Sequence, residues 1–556
     1  MSPSPPPAPE RGGDARDHAA PDGGGLPDSR AAKKRRGGGA LAVGAGIFLS
    51  RIAGLVRERV ISFYLGLSPA ADAFNAALRI PNVLQNLLGE GVLSASFIPV
   101  YSRLRAEGRD EDAARVARTV GTLLLLVASL ISLAGVVAAD PLVSVLAPGF
   151  PDAKRELTVT MVRILFPGMT LLVMSAWCLG VLNSHRRFFL SYVSPVLWNT
   201  AIIATAIVAG RRFAGHTEDI AIWLAWGAVI GSGAQFLVQL PLALRLVGSA
   251  KPALAVNDAG VRATIRAFGT ILVGRGSVQI SGYIDGILAS FLGLGIVAAI
   301  AKAQILYLLP VSLFGMAISA AELPEMSSAT GTDEVRAQKL HERLRPALRR
   351  VVFLVVPSAI AFLAIGNAII ALLFQTGRFG AADTRVVWIV LAGSALGLSA
   401  GTQGRLLASA FYALGDPKPP LHAALVRVAL TGVLGYAFAL PIRDAAGYSA
   451  TWGAFGLTAS AGFAAWIEFL LLERWLSKRI GKVAIPTKLG LTALAIAALA
   501  GAAGYGAHHL AMELGSRVWM ASIAAIGTFG VIYLAGMAVA RVPEASAFLR
   551  RLLRRR

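Results

Sequence analysis

Cysteine is nearly absent: Cys178 is the single one in 556 residues. That excludes an internal disulfide framework and any cysteine-based metal cluster. Cys178 lies in an apolar run and reads as an inert buried thiol. Charge is scarce as well. Asp, Glu, Lys and Arg make up 15% of the chain, against about 25% in average usage. The seven histidines are scattered. His508 and His509 fall near an expected helix end and read as a loop pair rather than a metal site. There is no G-x-x-x-x-G-K-[ST] phosphate loop, no Ser-His-Asp set and no paired-carboxylate constellation. An enzyme is therefore disfavoured, and no cofactor is expected. The alternating ten-residue strands of an outer-membrane barrel are also missing.

What the chain does have is apolar length. Hydrophobic residues make up 55% of it, and runs of around 20 of them recur from about residue 40 to 540, the signature of transmembrane helices. The expectation is an all-α polytopic membrane protein with about fourteen spans. Residues 1–39, rich in Pro, Gly, Asp and Arg, read as a disordered basic tail. Helices 1–6 would occupy 40–247, helices 7–12 would occupy 262–475, and helices 13–14 would occupy 486–541, with a second basic tail at 542–556. Lys and Arg concentrate in alternate loops, which puts both termini on the cytoplasmic side. The formal charge of +22 is then explained by loops facing anionic lipid, and nucleic acid is not needed as a partner.

An internal repeat divides the apolar region. "SASFIPVYS" at 94–102 and "SAAELPEMS" at 319–327 share S-A-x-x-x-P-x-x-S, and Arg51 and Arg275 repeat at nearly the same interval. Two six-helix halves related by an axis along the membrane normal follow, a plan that places a transport site between the halves.

Ionisable residues inside spans are functional candidates by default. Arg51, Arg57, Glu58, Asp72, Arg79, Glu90, Arg275, Asp285, Lys302, Glu322, Arg405 and Arg427 qualify. Cations outnumber anions among them, which suits an anionic ligand, and arginine's planar fork suits phosphate in particular. The opposing reading is internal salt bridging, with Arg57 paired to Asp72 or Glu90. In the second span Asn82, Asn86, Gly89 and Glu90 recur at helical spacing and would form a polar stripe, with kinks expected at Pro81 and Pro99.

The stretch 50–104 carries a more specific signal. Ser50, Arg51, Gly54, Arg57 and Glu58, then Asp72-Ala73-Phe74, then Arg79, Pro81 and Asn82, then Glu90, Gly91, Ser94, Phe97 and Pro99 resemble the successive motifs of the MurJ/MviN family. "LPVSLFGMAISAAELPEMS" at 309–327 resembles the eighth helix of that family more loosely. The resemblance implies the fold of the multidrug/oligosaccharidyl-lipid/polysaccharide exporter superfamily, with two six-helix lobes and two extra helices forming a groove for a lipid tail. It implies flipping of lipid II, an undecaprenyl-diphosphate glycopeptide, across the bacterial plasma membrane by alternating access. It also implies that Arg51 and Arg57 engage the diphosphate, and that Asp72, Arg79 and Glu90 matter for gating or cavity polarity, with Ser50, Glu58 and Asn82 beside them in the matched motifs. Two family arginines are replaced here, by Gln85 and Ile305. Arg79 and Arg275 are the remaining candidates for the substrate. A flippase for another polyprenyl-diphosphate glycan, a drug exporter, or a scaffold recruiting cell-wall synthesis proteins are the alternatives. A drug exporter calls for acids and aromatics rather than surplus arginine. The coupling ion is left open.

Overall fold

Apolar runs of this length leave the backbone no water to bond with in a bilayer, so each must satisfy its own N–H and C=O groups, and helices result. A computed structural model of the chain describes residues 29–249, 251–327 and 332–553. Among these there are helices and one isolated bridge, Thr376 to Phe379. The helices are α1 (Ser29–Leu65), α2 (Pro69–Ala106), α3 (Asp110–Val137), α4 (Asp152–Ser184), α5 (Phe188–Arg212), α6 (Thr217–Val247), α7 (Ala259–Ser290) and α8 (Ile296–Ser327). They continue as α9 (Asp333–Ala364), α10 (Gly366–Phe374), α11 (Ala381–Ala395), α12 (Leu398–Ala413), α13 (Lys418–Ala445), α14 (Ala450–Ile480), α15 (Thr487–Glu513), α16 (Val518–Val539) and α17 (Pro543–Leu553). Short helices fill some of the connections.

Among the described residues eleven helices are long and apolar enough to cross a membrane, or twelve when the bent pair α11–α12 is taken as one span. The expected first and seventh spans fall on α1 and α7, which are outside that count, so the number fourteen is not established. The first helix also begins at Ser29, ahead of the boundary expected at 40. Residues 1–28 of the expected tail lie outside the described residues.

The helices form two groups with the same internal pairing. In the first, α4 packs along α6, α5 along α6, α2 and α3 along α4, and α1 along α5. Six spans later α11 and α12 pack along α14, α13 along α14, α8 and α9 along α11 and α12, and α7 along α13. Outward faces are apolar: Leu126, Leu130, Leu133 and Val137 are exposed along one stripe of α3, the i, i+4, i+7 spacing of a single helix face. Such a stripe suits hydrocarbon.

The second span breaks at Gly89 rather than at either proline. The Gly89 N–H closes the first segment on Gln85 O at 2.7 Å, and its backbone turns (φ −92°, ψ −146°) before Glu90 starts the second. A Cβ at Gly89 would collide with the Gln85 carbonyl. The expected polar stripe from Asn82 to Glu90 is therefore divided between two helix segments. In α8, Pro310 precedes a π-helical stretch, Val311–Met316. A proline ring cannot sit against the carbonyl four residues back, and the wider turn accommodates it.

The helices α15 and α16 pair with each other and lie against α9 and α10. Their own small core includes Val352, Phe353, Leu489, Ala497, Phe529 and Met537. The helix α17 is docked rather than free. Glu544 accepts from Arg349 Nε at 2.6 Å and Nη2 at 2.9 Å. Burial pushes the Glu544 carboxyl up, but the hydrogen bonds and charge of Arg349 outweigh it and hold the group below its ordinary value.

Close approach of α15 to α9 depends on Gly501, where a Cβ would stand 2.7 Å from Ala364 Cβ, whereas Gly506 faces nothing within 4 Å. Gly501→Leu should lower the stability of the detergent-purified protein by about 1–3 kcal/mol, as overpacked interiors do, and Gly506→Leu should leave it unchanged. Thermal unfolding of the two variants side by side checks this.

Candidate functional site

The polar residues of the spans meet where the two helix groups touch. Asp72 lies in the first turn of α2, a helix capped by Ser68, whose Oγ accepts from the Ala71 N–H at 3.2 Å. The Asp72 carboxylate is completely buried. It accepts from Lys154 Nζ of α4 at 2.9 Å, from the Gly295 N–H at 2.7 Å and from the Ala298 N–H at 2.8 Å. Gly295 and Ala298 form the start of α8, whose first N–H groups have no partner within their own helix. A carboxylate of the first group thus caps a helix of the second, where the helix dipole also favours negative charge. Gly295 has to be glycine: its φ is +81°, and a Cβ would lie 2.6 Å from Leu67 O.

Further contacts cluster at the same end. Lys302 of α8 is buried; its Nζ donates to Ser62 Oγ at 2.7 Å and lies 3.6 Å from Glu58 Oε2. The rings of Phe374 and Phe379 flank it at 5.3 and 5.7 Å. Arg59 Nη1 donates to Leu372 O at 2.7 Å and Leu373 O at 2.9 Å, satisfying carbonyls at the C-terminal end of α10. The Arg378 N–H donates to Phe63 O at 2.9 Å, and Gly149 N–H to Ser290 Oγ at 3.0 Å. At the opposite end the groups meet through α7, which packs along Glu90–Ala106 of α2.

The sequence-expected cations are distributed differently. Arg51 is exposed, and Nη1 donates to Ser312 Oγ of the π-helical stretch in α8 at 2.9 Å. It makes no ion pair with any carboxylate among the described residues. Arg57 is half-buried. It pairs with Glu58 (2.6 Å), donates to Asn199 Oδ1 at 3.1 Å and lies over the Trp198 ring at 4.8 Å. Its partner is therefore neither Asp72, which Lys154 neutralises, nor Glu90. Arg79 reaches across to α7, donating to Gly282 O beside Asp285. A Cβ at Gly286 would stand 2.7 Å from Arg79 Nη1, so this glycine makes room for the guanidinium.

Ser50 is half-buried on α1, Glu90 is exposed at the start of the second α2 segment near Tyr192, and Asn82 lines a small void with Pro81 and Trp198. Arg275 lies on α7, but its side chain is outside the described residues. Arg57, Glu58 and Lys302 are thus brought together, while Arg51, Asp72 and Arg79 each join the groups at a separate point.

None of Lys154, Gly295, Arg59, Ser312 and Asn199 was among the candidates read from the sequence. Lys154 sits in the first turn of α4. A lysine there is out of place for the helix dipole, which is a usable signal that it serves a distant carboxylate.

With this geometry in place, the family model described as "Lipid II flippase MurJ" matches residues 61–525. The Burkholderia cenocepacia protein named lipid II flippase MurJ is 32% identical over 446 residues, 79% of this chain and 83% of the relative. A Rhizobium tropici protein named probable lipid II flippase MurJ is 28% identical over 514 residues, 90% and 92% respectively. Among solved structures, one titled as the inward closed conformation of lipid II flippase MurJ superposes with a TM-score of 0.71 at 21% identity, covering 92% of this chain and all of that one. An inward-facing MATE family multidrug transporter of the MOP superfamily gives 0.63 at 17% identity, over 79% and 96%.

Asp72→Asn would leave the Lys154 ammonium buried without its counter-charge, a change that costs about 3–5 kcal/mol. Lys154→Met should restore part of the stability when combined with it. Unfolding measurements on the two single variants and the double variant check the coupling; strict additivity would contradict it.

Proposed function

The chain belongs to the lipid II flippase MurJ family, and from that premise we propose that it carries lipid II from the inner to the outer leaflet of a bacterial plasma membrane. The excess of Lys and Arg in alternate loops supports cytoplasmic termini. The end built around Asp72 is then the outer one. The lobes correspond to 40–247 and 262–475, with 486–541 as the added pair.

The observation that carries the reading is Arg51. It stands exposed on α1, the first expected span; among the described residues its one hydrogen bond goes to a hydroxyl of the other lobe, and no carboxylate neutralises it. A diphosphate offers that guanidinium two charged acceptors in place of one neutral one, and charge-assisted bonds are roughly twice as strong. Arg57 engages the same group by exchanging Glu58 for phosphate oxygens, and Arg275 of α7 is a further candidate for it. Loading requires α7 to part from the inner half of α2, which also withdraws Arg79 from Gly282. Release requires the opposite end to part instead, breaking the capping of α8 by Asp72. Alternating access follows from holding one end while the other opens. Glu58, paired with both Arg57 and Lys302, links the binding arginines to the outer closure.

The polyprenyl tail stays in lipid, because protein offers it no hydrophobic gain over hydrocarbon. The membrane potential assists. Moving one charge is worth about 2.3 kcal/mol per 100 mV, and a diphosphate of roughly two negative charges leaving a negative cytoplasm gains about twice that.

Arg51→Ala should fail to sustain growth in flippase-depleted cells, and outer-leaflet lipid II should fall to the depleted level, while the protein remains in the membrane at normal abundance. Normal growth on stably expressed Arg51→Ala would remove the arginine from the transport site.

A further inference from the structure

Away from the lobe junction, one cavity gathers cationic and nitrogen-bearing groups and has no carboxylate in its lining. It lies between α10, α11 and α15, has a volume of about 220 Å³, and is lined by Ile365, Asn367, Arg385, Trp388, Tyr505 and His508, with two alanines completing the wall. A water takes about 30 Å³ of the liquid, so a tetrahedral oxyanion fits together with several waters.

The donors are unspent. Arg385 is exposed in the second turn of α11 and has neither an ion pair nor a hydrogen-bond partner among the described residues. His508 Nε2 is buried without a hydrogen-bond partner. It lies inside α15, not in a loop as its sequence position suggested. Asn367 is the second residue of α10. The nearby carboxylates are otherwise engaged: Asp383 accepts from the Gly380 N–H at 3.2 Å, and Glu513 contacts His509 Nδ1 at 3.1 Å.

The backbone adds to the charge. The chain breaks at Ile365 between α9 and α10, and Trp388 Nε1 holds the break open by donating to Phe362 O at 3.1 Å and Leu363 O at 3.2 Å. Ile365 supplies no side-chain cap. The uncapped first turn of α10 therefore lies along the cavity wall at Asn367 and Ala368, with the partial positive charge of a helix N-terminus. A metal cation would find no anionic ligand in this lining, and an apolar molecule would leave His508 Nε2 buried without a partner.

We propose that this cavity binds a phosphate-class oxyanion, borne by a lipid headgroup or free in solution. Arg385 supplies a bidentate fork, His508 Nε2 and the Asn367 amide supply further donors, and the start of α10 supplies the dipole. Arg385 and His508 lie about 6–8 Å inside the ends of their helices by helical rise, the level at which a headgroup meets hydrocarbon. None of the transport arginines lines the cavity, so the site stands apart from the flipping reaction.

The test uses the purified full chain in two arms. In detergent, sodium phosphate is titrated against sodium chloride at matched ionic strength. In nanodiscs, phosphatidylcholine alone is compared with phosphatidylcholine containing phosphatidylglycerol. The unfolding temperature is read in both. The wild type should be stabilised in at least one arm: phosphate alone marks a free-anion site, phosphatidylglycerol alone a headgroup site, and both a shared one. Arg385→Gln should weaken the apparent affinity at least tenfold and His508→Gln at least threefold, with Arg385→Lys retaining more than Arg385→Gln. The unfolding temperatures in chloride establish that each variant is folded, and His508→Gln carries the test should Arg385→Gln not be. No stabilisation of the wild type in either arm, or wild-type affinity in the folded glutamine variants, overturns the proposal.

Discussion

A fully buried carboxylate in a membrane protein must be neutralised, and the way Asp72 is neutralised sets the architecture of the junction. One of its partners, Lys154, lies in its own lobe; the others are backbone N–H groups at the start of α8 in the other lobe. Removing the second lobe would leave the carboxylate with the lysine alone and the helix uncapped. The contact therefore stabilises one relative position of the lobes and penalises separation, which is the property a closed end requires.

The same economy governs the cations. Lys302 is fully enclosed and has Glu58, Ser62 and two aromatic rings around it. Arg59 uses the carbonyls at a helix end, and Arg79 uses a carbonyl beside a glycine that leaves it room. Each is a structural use of charge between lobes. Arg51 is held more lightly, by one bond to a hydroxyl among the described residues where Arg59 has two to helix-end carbonyls, and it is the more easily claimed by a ligand.

Much of the fold was legible because hydrophobic length reports directly on bilayer crossing. The division into halves was readable from the repeated S-A-x-x-x-P-x-x-S pattern, and the matching helix pairings agree with it. The candidate residues Arg51, Arg57, Glu58 and Asp72 were readable as ionisable groups inside spans. Their partners were not. Helical periodicity orders residues on one helix but is silent about contacts between helices far apart in sequence, so Arg57 was offered Asp72 or Glu90 when its neighbour Glu58 takes it. Gly89 was read as part of a stripe, whereas its backbone breaks the helix. The role of Gly295 and the capping of α8 depend on backbone geometry that residue type alone does not reveal. The count of fourteen spans further requires α1 and α7, which stand outside the eleven or twelve.

On the proposed mechanism Asp72 holds one end of the lobes together, and transport requires its release. Spin labels at Glu218 and Ala382, exposed positions near the Arg378 contact to the first lobe, would report the separation directly. Buried Cys178 does not compete for labelling. A single short distance is expected in the resting protein and a longer or bimodal one in Asp72→Asn without any ligand. The same short, narrow distance in Asp72→Asn would contradict it.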